Sequence, residues 1–187
     1  MIPIVKKVVN GVAVASLGLI ALGGMLHMAG IRINTSSSIP VGIYWMTKRP
    51  IQVGEYVIFC PPNRRVFQEA LARHYIHAGF CSGRLGYMMK KVVAEAGDTV
   101  TSTPDGVLGN GEHLPYSEPK TRDDRGRALP NWRAEHVSLN DSELLLMTDQ
   151  SARSFDARYF GPISTSQVKA VVIPLMTWPL HPTIERN

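Results

Sequence analysis

Several chemistries are missing from these 187 residues. There is no Gly-rich phosphate loop, no paired-histidine metalloprotease helix, and no Ser/His/Asp set built on a nucleophile elbow. Charge is sparse too. Asp, Glu, Lys and Arg make up 19% of the chain, and beyond Lys6 and Lys7 the balance is 18 Lys and Arg against 15 Asp and Glu. Such a body has no dense basic stripe with interleaved aromatics, so no nucleic-acid partner is expected. Only two cysteines are present, and only one long apolar run. With 44% hydrophobic residues the chain is neither disordered nor polytopic, and its length suits one domain with an appendage. Sixteen glycines and 13 prolines are more punctuation than a helical bundle tolerates, so a loop-rich, mainly β fold is expected.

The apolar run is the first positive feature. Val8 to Gly30 carries no Asp, Glu, Lys or Arg, and at ~1.5 Å per residue a helix of this length crosses a bilayer core of ~30 Å. Lys6 and Lys7 precede it, which predicts a cytoplasmic N-terminus and an exported remainder. Ala21, Leu22 and Gly23 form a small-x-small pattern, so a cleaved signal is the alternative to a retained anchor, and a buried core helix is the third reading. On this basis residues 1–30 form a topogenic segment and residues 31–187 a second, folded domain.

Past the run the sequence breaks into short strand candidates: Gly42 to Thr47, Glu55 to Cys60, Tyr87 to Ala94, Thr99 to Thr103, Leu144 to Thr148 and Val168 to Leu175. An amphipathic helix is predicted near Arg65 to His77. It lies between Cys60 and Cys81, which an oxidising compartment allows to pair. Two alternatives stay open, a zinc set of Cys60, His74, His77 and Cys81, and two separate thiols. Ser117 to Trp132, mixing charges with Pro and Gly, reads as a solvated loop.

Two stretches carry candidate chemistry. The first is a serine cluster, Asn34-Thr35-Ser36-Ser37-Ser38-Ile39-Pro40, directly after the apolar run, and its plain reading is a polar linker. The second is Lys90, in the strand candidate Tyr87 to Ala94. Alternation places it with Met88, Val92 and Ala94 and places Lys91 with Met89 and Val93, so one lysine turns inward or lies along the sheet. Burial among Met and Val lowers an amine's pKa and frees it as a base, whereas a stem packed with its amine in water does not.

Together these stretches resemble the type I signal peptidases, peptidase family S26. Ser37-Ser38-Ile39-Pro40 is similar to their nucleophile box, with a serine three residues before a proline. Lys90 to Asp98 is similar to their lysine box, and Ser154-Phe155-Asp156-Ala157-Arg158 to the later supporting box. The closer resemblance is to the conjugative-transfer branch, the TraF-like signal peptidases, through the Ser, Pro, Gly and Tyr of residues 34–44. The Gly-Asp-Asn-Arg-Asp run of housekeeping enzymes is replaced by Thr148 to Ala152, and the small size agrees with the transfer branch, since housekeeping enzymes often carry a second span and an additional β domain.

The resemblance implies a mainly β, signal-peptidase-like catalytic domain behind one N-terminal transmembrane or signal helix. It further implies that Ser37 attacks the scissile carbonyl, that neutral Lys90 takes its proton, and that the Ser37 N–H and the Thr35 hydroxyl hold the oxyanion. Ser154 would orient the lysine, and Asp156 and Arg158 would support the site as an ion pair. No cofactor or metal is implied. The expected substrate is a pilin-like or mating-pore precursor with small residues before the cut, entering apolar pockets near Ile39 to Tyr44 and Tyr87 to Met89. A general signal peptidase or a non-catalytic assembly protein are the alternatives. Ser37 lies seven residues past Gly30, at most ~25 Å of extended chain, so it would work beside membrane lipid, on the periplasmic side of a bacterial inner membrane.

Overall fold

The computed structural model describes residues 3–178; residues 1–2 of the N-terminal segment and 179–187 of the expected catalytic domain lie outside the described residues. Helix α1 (Pro3–Met28) contains the whole apolar run but its last two residues. From Val5 to Met28 none of it is buried by the rest of the described chain, which it meets only at its end, where Arg32 donates to the His27 carbonyl at 2.8 Å. A buried core helix is thereby set aside.

Eleven strands follow among the described residues: β1 (Ile31–Asn34), β2 (Val41–Thr47), β3 (Tyr56–Phe59), β4 (Met88–Ala94), β5 (Thr99–Thr103), β6 (Gly106–Gly109), β7 (Glu112–His113), β8 (Ala134–Ser138), β9 (Glu143–Met147), β10 (Ile163–Ser164) and β11 (Val168–Trp178). Two short helices, α2 (Arg65–Ala72) and α3 (Ala157–Phe160), complete the set. The larger sheet runs β1-β2-β11-β3-β4-β9-β10 and the smaller β7-β6-β5-β8, all antiparallel. Each predicted strand is present to within a few residues at its ends. Strands β1, β6, β7, β8 and β10 are additional, being short or carried by Gly, Glu and His rather than by alternating apolar residues.

Two cores hold the sheets. The main one joins Val57, Phe59, Val92, Leu145 and Leu146 to Phe67 of α2 and Phe160 of α3. A smaller one packs Ile39, Tyr44, Ile58 and Val172, and it anchors the loop between β1 and β2. Helix α2 ends five residues short of the predicted His77, because His74 turns to a positive φ of 62°. The chain then doubles back, and Cys60 and Cys81 are bonded across it with Cα atoms 5.5 Å apart. Those sulfurs are therefore not thiolate ligands, and the zinc alternative is set aside. The bridge closes a sequence separation of 21 residues, for which loop-closure entropy gives about 3 kcal/mol. Replacing both cysteines by serine is expected to lower the unfolding free energy by about that amount, measured by denaturant unfolding under oxidising conditions. An unchanged midpoint would mean that packing alone holds the segment.

Candidate active site

The site lies where the β1–β2 loop crosses the middle of β4. In β4 alternate residues are buried, so Lys90 shares a face with Met88, Val92 and Ala94, while Lys91 reaches out to pair with Asp149 at 2.9 Å. Lys90 is only 2% exposed. Its Nζ donates to Ser38 Oγ at 2.5 Å and to Ser154 Oγ at 2.6 Å, and the two hydroxyls are 3.1 Å apart. Burial pushes its pKa down to about 8; the charge of Asp156 works against this and that of Arg158 with it.

The hydroxyl that meets Lys90 belongs to Ser38, which corrects the expectation of Ser37. Residues 36–39 form a turn with Ser37 exposed at its tip. The next residue but one, Ile39, is fully buried in the smaller core and draws Ser38 inward. Counting back three residues from Pro40 selects Ser37, whereas the loop's curl, set by its anchors, turns Ser38 to Lys90.

Asn34, 5% exposed at the end of β1, is the anchor that sequence reasoning passed over. Its Nδ2 donates to the carbonyls of Ser36, Ile39 and Pro40 at 2.8, 3.0 and 3.1 Å, and its Oδ1 accepts from the N–H and Oγ of Ser36. Tyr44 adds a hydrogen bond to the Pro40 carbonyl at 2.6 Å. An Asn at a strand end followed by serines is the available signal, since Asn supports such turns with its own side chain. Asn34→Asp replaces the donor by a carboxylate facing three carbonyls. A displacement of the loop by about 1 Å is expected to lower kcat about 10- to 100-fold with little change in KM. Steady-state kinetics on a peptide substrate, with circular dichroism to confirm folding, checks this; equal loss in KM would point to a groove residue instead.

The remaining expected residues fall close by or in support. Asp156 caps α3 and binds Arg158 through two oxygens, at 2.8 Å each, with both side chains fully buried. Arg158 also donates to the carbonyls of Glu118 and Ala152, so the charged pair ties three segments together. Thr35 is exposed and lines the groove in front of Ser38. That groove, about 330 Å³, is walled by Ile33, Ser36, Ile58, Met88 and Ile76. Its expected wall from Ile39 to Tyr44 is absent, since Ile39 and Tyr44 are core residues; β1 and the loop supply that side instead.

Known proteins resemble this chain over most of its length. The signal peptidase family, peptidase S26, matches residues 4–177. Two plasmid transfer proteins TraF of Escherichia coli are 49% and 44% identical over 175 and 173 residues, covering 94% and 92% of this chain and 98% of each relative. A conjugal transfer protein TraF of Agrobacterium fabrum is 31% identical over 175 residues, 92% of this chain and 97% of that one. A signal peptidase I of Enterococcus faecalis, 17% identical, aligns with a TM-score of 0.40 over 67% of this chain and 98% of its own. With a family match over nearly its whole length and relatives this similar, the chain belongs to the TraF-like branch of the signal peptidase family S26.

Proposed function

We propose that the chain is a membrane-associated Ser/Lys endopeptidase that cuts a pilin-like or mating-pore precursor at an export-type site. The observation that carries this is the buried Lys90 amine held between Ser38 and Ser154. An amine with a pKa near 8 is partly neutral near physiological pH and able to accept the Ser38 proton. Ser38 Oγ then bonds to the scissile carbonyl carbon. The oxyanion would be met by the Ser38 N–H and by a hydroxyl of the preceding loop. With the nucleophile moved by one residue, Ser36 stands two residues upstream, and its hydroxyl would turn from Asn34 Oδ1, to which it donates at 2.9 Å, to meet the oxyanion. As the C–N bond breaks, Lys90 returns the proton to the leaving amine. A second nucleophile next gives its proton to Lys90 and bonds to the acyl carbon, and as the acyl–Oγ bond breaks Lys90 returns that proton to Ser38.

The apolar helix α1 supports a position at the membrane. Trp45 Nε1 donates to the Ala29 carbonyl at 3.0 Å, seating the sheet directly beneath α1. Cross-strand partners Ile31, Trp45 and Ile173, then Ile33, Ile43 and Met176, form an uncharged face on β1, β2 and β11. Such a face, continuous with the span, suits a lipid interface on the periplasmic side, to which Lys6 and Lys7 also point. A role in plasmid transfer is supported by the TraF relatives, and the pilin-like substrate is what the resemblance to the transfer branch implies. To test it, the full chain is reconstituted in vesicles with a conjugative pilin precursor and with an ordinary secreted preprotein. Faster cleavage of the pilin precursor is expected. Equal rates would favour a general signal peptidase, and no cleavage of either a non-catalytic assembly role.

A further inference from the structure

A second cavity, about 310 Å³, opens beside the substrate groove, and Tyr75 and Phe155 line both. Phe155 directly follows Ser154, so the wall that the two spaces share adjoins the second hydroxyl that Lys90 meets. The floor is apolar, from Leu129, Phe155 and Tyr159. Its rim is cationic, with Arg73, Lys120, Arg125, Arg127 and Arg153 facing only Asp123 and Asp124.

Several of these charges are already satisfied. Arg73 is paired with Glu69, and Arg127 with Asp123. Asp123 also accepts from the Tyr75 hydroxyl at 2.5 Å and from the N–H groups of Arg125 and Arg127, so this carboxylate is fully committed to holding the loop. Arg153 and Asp124 meet only at 3.5 Å with both side chains mostly exposed. Lys120 and Arg125 have no carboxylate within 4 Å among the described residues. The charged loop that reads as mere solvated chain is thus pinned in place, with two uncompensated cations over an apolar floor.

We propose that this cavity is a subsite for an acidic stretch of the substrate, taking Asp or Glu side chains a few residues from the scissile bond. The inference rests on the peptidase reading. An extended chain leaving Ser38 advances ~3.3 Å per residue, so a carboxylate a few positions away reaches the rim while its neighbours lie on Phe155 and Tyr159. Being exposed, the contacts act mainly on substrate binding and weaken with salt.

The test uses the purified full chain in detergent micelles and three peptides with one cleavage site: neutral, with two Asp before the cut, or with two Asp after it. One acidic peptide is expected to show a KM about 3- to 10-fold below the neutral one at low salt, with kcat within about twofold and the difference gone near 0.5 M salt. In Lys120→Glu/Arg125→Glu that preference disappears, and a peptide with Lys at the same positions regains it. No discrimination by charge, or discrimination that survives in the double variant, overturns the proposal. So does a charge effect seen only with anionic lipid vesicles, which would assign the cavity to headgroups. Fluorescence anisotropy with Ser38→Ala reads the same preference in binding. A failure to cut any peptide would therefore count against the peptidase reading while the charge preference is still decided.

Discussion

Ser38→Ala is expected to lower precursor cleavage by about 10⁴-fold or more, whereas Ser37→Ala stays within about threefold of wild type. The two side chains are neighbours with the same chemistry, so the contrast isolates position. Ser38 Oγ lies 2.5 Å from the Lys90 amine, and Ser37 stands exposed at the tip of the turn. Removing the first leaves Lys90 with Ser154 alone, a hydroxyl that orients the amine but is buried, at 6% exposure, behind the groove. Removing the second takes away a solvated hydroxyl. Time courses of precursor cleavage by the two variants decide the matter, and equal losses would mean that the loop rearranges when substrate binds.

Lys90→Met is expected to abolish cleavage to a similar degree and at the same time to stabilise the fold. The sign follows from linkage. In the unfolded chain the amine titrates near its ordinary 10.5, and in the fold near 8. Below pH 8 both states are protonated, and the fold bears the full cost of a buried cation. Between pH 8 and 10.5 the folded amine is neutral while the unfolded one is still charged, and the cost fades as pH rises. At 1.36 kcal/mol per pKa unit the cost is about 3 kcal/mol at most, so Lys90→Met gains about 1 to 3 kcal/mol at pH 7. That advantage shrinks towards pH 10. Wild-type cleavage should climb with pH through an apparent pKa near 8, as the neutral base accumulates. Denaturant unfolding at pH 7 and pH 10 and a pH–rate profile measure the two effects. A variant less stable than wild type at pH 7, with a rate flat from pH 7 to 9, would remove Lys90 from the role of base.

The parts legible in the sequence are those written in one-dimensional patterns. Alternation along β4 puts Lys90 with Met88, Val92 and Ala94 and Lys91 with Met89 and Val93, and the structure buries the first of these faces. The uncharged run after Lys7 marked α1, and the order of the three boxes marked the family. Curvature was not legible. Which of Ser36, Ser37 and Ser38 faces inward depends on the Asn34 side chain and on Ile39 entering a core made by Tyr44, Ile58 and Val172. The smaller sheet was largely hidden because β6 carries two glycines and β7 and β8 are mostly exposed, so they lack the apolar alternation that announces a strand. The charged loop near Asp123 was legible as polar, but its pinning by Tyr75 from a distant segment was not.

Trapping the acyl-enzyme tests the central claim most directly. The full chain is incubated with an ester analogue of the precursor's cleavage site, quenched in acid during the first turnovers, digested and mapped by mass spectrometry. The account predicts an acyl group on Ser38, absent from Lys90→Met. An adduct on Ser37 or Ser36, or an adduct on Ser38 that forms equally well without Lys90, would contradict it.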